Sequence, residues 1–162
     1  MSGSSRTVVI GVGNDERGDD AVGLAVARVL ARSPPPEVEV AELSGDLTGL
    51  LDLWAERPLA VVADAVLGAG PPGTLVRRDV TGGESLPTWG GYSTHGISLA
   101  EAVRLGASLD RRPGRLILYG VTIAAPGWGR GLTPAVAHAV PGVAGLIREE
   151  LARPGADPRG GP

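Results

Sequence analysis

Residues 8–14 read VVIGVGN, and this stretch decides the class of fold. Its β-branched start predicts a buried strand that ends in the glycines Gly11 and Gly13. The segment 21–31 follows, with apolar residues at the spacing of a helix. A buried strand that leads through a glycine turn into a helix is typical of a sheet with parallel strands and covering helices.

The rest of the chain continues this alternation of strands and helices. Further strands are predicted at 38–43, 59–63, 74–80 and 116–122, and further helices at 47–55, 97–107 and 133–152. The charged segment 74–80 is expected at a sheet edge. We therefore predict an α/β fold, a single-domain three-layer sandwich with a mostly parallel twisted sheet of about five strands and helices on both faces. Residues 1–152 form this domain, and 153–162 are expected to be a disordered tail.

Composition narrows the classes of function. Apolar residues make up 43% of the 162 residues and charged residues 20%, which is typical of a globular domain. The net charge is −3 and the arginines are scattered, so nucleic acid is not an expected partner. No run approaches the roughly 18 apolar residues of a membrane span, and no signal peptide pattern is present, so a cytoplasmic monomer is expected. The chain has no cysteine, so it can offer a metal ion only nitrogen and oxygen ligands.

Two aspartates follow predicted strands. Asp64 comes directly after the strand 59–63, at the edge where open α/β sheets bind ligands, although it could also cap a turn. Asp20 follows the first strand, and together with Asp19 it could cap the helix. If the strand order begins 2-1-3, Asp20 and Asp64 converge. Two carboxylates about 6 Å apart repel by roughly 3 kcal/mol, so the pair would favour a shared proton or a cation. An acid–base pair or a metal site is therefore expected.

His95 is the third candidate. It lies in the loop 82–96, which is rich in Gly, Ser and Thr, and the alternative is an ordinary exposed loop histidine. His138 is interpreted as structural or solvated. One histidine with two carboxylates would make a three-ligand set with open positions for a substrate. The glycine loop is not a dinucleotide site, because Glu16 stands where the third glycine would be. A P-loop and a serine-hydrolase elbow are absent from the sequence.

Four motifs, in order along nearly the whole chain, resemble those of the hydrogenase maturation proteases. They are VIGVGN at 9–14 followed by GDDAVG at 18–23, VADA at 62–65, THG at 94–96, and GV at 120–121 followed by GLTP at 131–134. The family removes a C-terminal extension from the nickel-containing large subunit of hydrogenases after nickel insertion. The resemblance therefore implies an endopeptidase whose partner is a hydrogenase large-subunit precursor, with nickel carried by that substrate and held weakly or not at all by the chain alone.

The resemblance also implies roles for individual residues. Asp20, Asp64 and His95 match the residues implicated in recognising nickel, with Asp20 and Asp64 as the catalytic carboxylates, and Asp19 is expected to orient or cap. The implied substrate-binding residues are Gly45, Asp46 and Thr94. The turn at 43–48 reads LSGDLT where relatives often carry an Asp-Gly-Gly-Thr-like turn, so the substrate preference stays open. A non-catalytic metal-sensing chaperone and a nickel-independent aspartate-type peptidase are the alternative hypotheses.

Overall fold

The computed structural model describes residues 6–45, 47–68, 70–83 and 97–153. Five strands and four α-helices are described, with one 3₁₀ turn at Gly18–Ala21. The strands are β1 (Thr7–Val12), β2 (Val38–Leu43), β3 (Leu59–Leu67), β4 (Leu75–Asp79) and β5 (Arg115–Ile123). The helices are α1 (Val22–Arg32), α2 (Gly49–Trp54), α3 (Leu99–Ser108) and α4 (Pro134–Ala152).

The strands form one five-stranded sheet in the order β2-β1-β3-β5-β4. β2, β1, β3 and β5 are parallel, and β4 runs antiparallel to β5 at the edge. The order 2-1-3, which was the condition for Asp20 and Asp64 to converge, is therefore met, and the predicted edge strand is confirmed. Arg77, Arg78 and Asp79 are tolerated on β4 because an edge strand exposes much of its surface to water.

The core lies in two layers, one on each face of the sheet. Alternate residues of β1 separate the layers: Val8, Ile10 and Val12 pack with α2 and α3, and Val9 packs with α1 and α4. The central strands β3 and β5 are buried on both faces, which explains their nearly continuous apolar sequences. The predicted three-layer α/β sandwich is confirmed.

Two predicted boundaries are wrong in ways that affect the site. β3 continues to Leu67, beyond the predicted end at residue 63, because β5 pairs with it as far as Ile123. Asp64 therefore lies inside a strand. The predicted helix 47–55 is shorter, because residues 47–48 form a turn before α2.

The C-terminal helix α4 is continuous through Pro141 and ends at Ala152. Most of the predicted tail, residues 154–162, lies outside the described residues. Within the described ranges, every helix is too short or too polar to cross a bilayer.

Candidate functional site

The candidate site lies where the pairing between β1 and β3 ends. The two strands pair as far as Gly11 and Ala63, and β3 then continues alongside β5 alone. Asp64 is the first residue of β3 beyond this point. In parallel sheets, a crevice opens where two neighbouring strands separate and the segments that follow them run to opposite faces of the sheet. The topology therefore places Asp64 at the edge of the sheet where a ligand is expected.

Close packing brings the turn that carries Asp20 to the same edge. At Gly23, the first turn of α1 contacts the ends of β1 and β3, and a Cβ would collide with the carbonyl oxygens of Val12 and Ala63. At Gly13, a Cβ would collide with the carbonyl oxygen of Asp20. The Asn14 N–H donates to that same carbonyl at 3.3 Å. Only glycine allows this approach, so the sequence pattern directly sets the position of Asp20.

Asp64 is a buried carboxyl with a raised pKa. Its side chain is only 4% exposed, and its Oδ1 accepts the N–H of Ala65 at 2.7 Å. Its Oδ2 is buried and has no hydrogen-bond partner among the described residues. Burial raises the pKa of Asp64 well above its usual value, and the charge of Asp20 raises it further, against the lowering effect of the Ala65 N–H.

Asp20 shares this electrostatic environment. Burial raises the pKa of Asp20 from 3.8 to about 6, and the nearby charge of Arg17 opposes the rise. Asp20 also lies close enough to Asp64 for its charge to raise the pKa of that carboxyl. The expectation that repulsion between the carboxylates perturbs both groups is only partly right. Burial is the largest cause of the raised pKa at both residues, and repulsion adds to it only at Asp64.

The interpretation of Asp20 as a helix cap is wrong. Asp19 and Asp20 lie in the 3₁₀ turn ahead of α1, whose N-cap is Ala21, and no side chain caps it. Asp19 instead binds the start of α4: it accepts both the N–H and the hydroxyl of Thr133 at 2.7 Å. Capping of its own helix by Asp19 is therefore wrong, and the described contacts fit a residue that orients the turn.

The remaining candidates divide by location. His95, Asp46 and Thr94 lie outside the described residues. Gly45 lies in the exposed turn after β2, with φ +78° and an open surface around it. His138 is exposed on α4. Over the described ranges, no three His, Cys, Asp or Glu side chains are close enough to hold a metal ion. Because His95 lies outside those ranges, the predicted three-ligand set stays a prediction.

Sequence reasoning missed Arg17 as a neighbour of Asp20. Its guanidinium carbon lies 4.5 Å from the centre of the Trp128 ring, and its charge acts on Asp20. The spacing of three residues across Gly18, whose φ is +56°, is the signal that could have indicated this contact. Glu16, in the same loop, is exposed and pairs with Arg130 at 3.0 Å.

Comparison with known proteins supports one family. The family model described as hydrogenase maturation protease matches residues 25–150. This match begins after Asp20 and covers Asp64 and His95. A search among curated protein sequences gives no match.

Solved structures of similar fold cover almost the whole chain. The hydrogenase-maturating endopeptidase HybD from E. coli superimposes with a TM-score of 0.73 at 23% identity, covering 93% of this chain and 94% of that one. The [NiFe] hydrogenase maturation protease HycI from Thermococcus kodakarensis gives a TM-score of 0.68 at 26% identity, covering 92% and 94%. An endopeptidase from Escherichia coli superimposes with a TM-score of 0.72 at 28% identity, covering 94% of this chain and 95% of that one. Because the family model matches well over half of the chain and the fold agrees throughout, this protein belongs to the hydrogenase maturation protease family and is an endopeptidase of hydrogenase maturation.

Proposed function

We propose that the chain removes the C-terminal extension of a hydrogenase large-subunit precursor after nickel insertion, acting as a monomer in the cytoplasm. Membership of a family of proteases favours this function over a non-catalytic chaperone. The observation that carries the proposal is the buried Oδ2 of Asp64, which has no partner among the described residues and lies beside Asp20.

A cation would relieve the cost of this arrangement. A buried carboxylate oxygen without a donor is unfavourable, and a second carboxylate nearby makes it worse. A divalent ion bound between Asp20 and Asp64 would satisfy the free oxygen and favour the charged form of both groups. The donor set therefore fits a metal ion of hard or borderline character.

Asp20, Asp64 and His95 are the residues that we propose to recognise the nickel of the precursor. Carboxylate and imidazole are suitable nickel ligands, but the chain has no thiolate to add to them. We therefore infer that the precursor supplies the other ligands and that the isolated chain binds nickel weakly. Nickel, when bound, would supply a positive charge that draws the precursor to the two carboxylates and can polarise an oxygen there.

The chain's own residues can perform the acid–base part of the hydrolysis. With a pKa of about 6, Asp20 is mostly ionised at neutral pH and remains basic enough to take a proton from water. The Ala65 N–H holds Asp64 by Oδ1, which leaves Oδ2 to accept a ligand or hold a proton. We propose Asp20 as general base and Asp64 as the fixed carboxylate that positions the reacting group.

The test is the intact mass of the precursor after incubation with the protein, with and without nickel loading. Wild type is expected to release a C-terminal fragment only from the nickel-loaded precursor, and Asp64→Asn is expected to release none. Asp110→Asn is the matched control, because Asp110 is 93% exposed and its φ of +56° suits asparagine. Normal processing by the Asp64 variant would overturn the site.

A second candidate is a nickel-independent aspartate-type peptidase. The raised pKa values of two neighbouring carboxyls favour it, because paired carboxyls that share a proton can activate water without a metal. Cleavage of the nickel-free precursor at the same rate would support this candidate and overturn the nickel requirement.

A further inference from the structure

The loop 124–131 is fastened to the turn that carries Asp20. Three backbone hydrogen bonds connect them: Gly18 donates to Gly129 at 2.9 Å, Gly129 donates to Glu16 at 2.9 Å, and Gly127 donates to Arg17 at 3.1 Å. The pair Arg130–Glu16 adds an ion pair at 3.0 Å. Trp128 stands between two of these bonded glycines, so its position follows that of the Asp20 turn.

Trp128 is nevertheless 84% exposed. Its described ring contact is the guanidinium of Arg17, 4.5 Å from the ring centre. Cation–π contacts at exposed sites are weak, so this contact does not by itself explain so much apolar surface in water. A large aromatic side chain on a fastened backbone is typical of residues that anchor a binding partner.

Arg17 has unused hydrogen-bonding capacity beside this ring. Among the described residues, its guanidinium donates no hydrogen bond, and its Nε is shielded from water as well. Buried N–H groups without an acceptor are rare, because each lacks both water and a protein partner. The group also lies near Asp20, since its charge acts on that carboxyl. The ring and the guanidinium together form a small surface that adjoins the candidate site, here called the Arg17–Trp128 surface.

We propose that the Arg17–Trp128 surface binds the polypeptide segment of the precursor that flanks the scissile bond. Carbonyl or carboxylate oxygens of this segment would accept hydrogen bonds from Arg17, and an apolar side chain would cover the indole. An extended peptide is the fitting occupant because it carries acceptors and side chains together and must pass Asp20 to be cut. This inference rests on the proposed function and adds a substrate-binding role for two residues that the family motifs do not include.

The test is the steady-state kinetics of precursor cleavage by Trp128→Ala and Arg17→Lys. Each variant is expected to raise KM roughly ten- to thirty-fold, as for truncation of an aromatic or arginine anchor, while kcat changes less than about twofold. Arg17→Lys keeps the charge near Asp20 but loses the planar donor fork, so it separates binding from electrostatics. Leu109→Ala is the control, because Leu109 is also apolar and 55% exposed but follows α3 at the opposite edge of the sheet.

The outcomes separate this inference from the proposed function. Cleavage by wild type with unchanged KM in both variants would overturn the Arg17–Trp128 surface and leave the protease proposal standing. A loss of kcat at constant KM would also overturn it, because the residues would then act on the chemistry. Absence of cleavage by wild type would overturn the proposed function instead. Trp128→Phe keeps a ring in place and is expected to restore most of the KM, which a change in folding alone would not do.

Discussion

At the scale of single residues, Asp20 and Asp64 are held where ionisation is unfavourable. Burial raises the pKa of both carboxyls, and the charge of Asp20 raises the pKa of Asp64 further. Such a pair does not stabilise the fold at neutral pH. The folded protein favours the neutral carboxyls, whereas in the unfolded chain water favours their ionised forms. The pair is therefore better explained by a ligand than by folding.

Asp64→Asn is expected to stabilise the free protein at high pH. A raised pKa in the folded state means that the stability is complete below the unfolded value of about 3.8 and is lost as pH rises through the folded value. Asparagine cannot ionise, so the variant avoids this loss. Urea unfolding at pH 5 and pH 8 should show an advantage of the variant that grows with pH. An advantage that shrinks with pH would contradict the assigned direction.

The activity is expected to depend on the ionisation of Asp20. A general base must be unprotonated, so kcat/KM should fall as pH drops below about 6 and reach a plateau above it. Asp20→Asn should reduce kcat by about 100-fold or more. The measurement is precursor cleavage between pH 5 and 8.5, with the stability of the precursor checked at each pH. A rate that stays flat across pH 6 would argue against Asp20 as the base.

At the scale of elements, the start of α1 determines whether the two carboxyls meet. Gly23 packs directly against the ends of β1 and β3, and the helix must move if a side chain is added there. The site thus depends on a packing contact as well as on its polar residues.

Gly23→Ala is expected to lower the free energy of unfolding by about 2–3 kcal/mol and to impair cleavage, because it overpacks a rigid backbone contact. Gly145→Ala is the matched control within α4, since a Cβ there meets nothing within 4 Å. The control should stabilise the protein by about 0.5–1 kcal/mol through its helix propensity. Urea unfolding of both variants tests this, and equal stability would refute the close contact.

The turn that carries Asp20 is also expected to depend on α4. Thr133→Val removes the hydroxyl that Asp19 accepts at 2.7 Å but keeps the shape of the side chain. The buried carboxylate then loses one of its two described donors, which should cost about 1–2 kcal/mol. Denaturant unfolding measures the loss. Thr74→Val serves as a comparison, because the Thr74 hydroxyl donates one exposed hydrogen bond, to the Pro71 carbonyl at 2.6 Å. A smaller effect at Thr133 than at Thr74 would contradict the assigned role.

At the scale of the whole molecule, the far end of α4 is attached to the sheet through a buried carboxylate. Glu150 is 1% exposed and accepts from Arg77 of β4 at 2.9 Å and from Tyr119 of β5 at 2.7 Å. Burial alone would raise the pKa of Glu150, but the hydrogen bonds from Arg77 and Tyr119 outweigh it, and the pKa lies below its usual value. This contact joins the antiparallel edge strand to the helix layer.

Glu150→Gln is expected to destabilise the fold by about 2 kcal/mol at pH 7. This cost is smaller than that of breaking a fully buried ion pair, because Arg77 reaches solvent. A lowered pKa means that the stabilisation is present above the unfolded value of about 4.5 and is lost as pH falls. The difference between wild type and variant should therefore become smaller as pH falls below about 4.5, the reverse of the trend at Asp64. Thermal unfolding at pH 7 and pH 3 tests it, and a constant difference would contradict the ion pair.

Most of the fold follows from local sequence patterns. The strand and helix periods, the glycine turn after β1 and the charged edge strand all reflect the preferences of neighbouring residues, which short-range sterics and burial determine. Asp64 was identifiable for the same reason, because it directly follows the apolar run 59–63. The extension of β3 to Leu67 was not, because it depends on β5, which is distant in sequence.

The sequence by itself determined the α/β class and indicated Asp20 and Asp64 as candidate carboxylates, whereas the tertiary structure supplied the strand order. Only the tertiary structure decided that burial is the largest cause of the raised pKa at both carboxyls, and that Asp19 binds Thr133. It also decided that Trp128 stands beside Arg17. The physical reason is that desolvation and contacts between distant segments depend on which side chains meet in space, whereas periodicity reports only which face of an element is apolar.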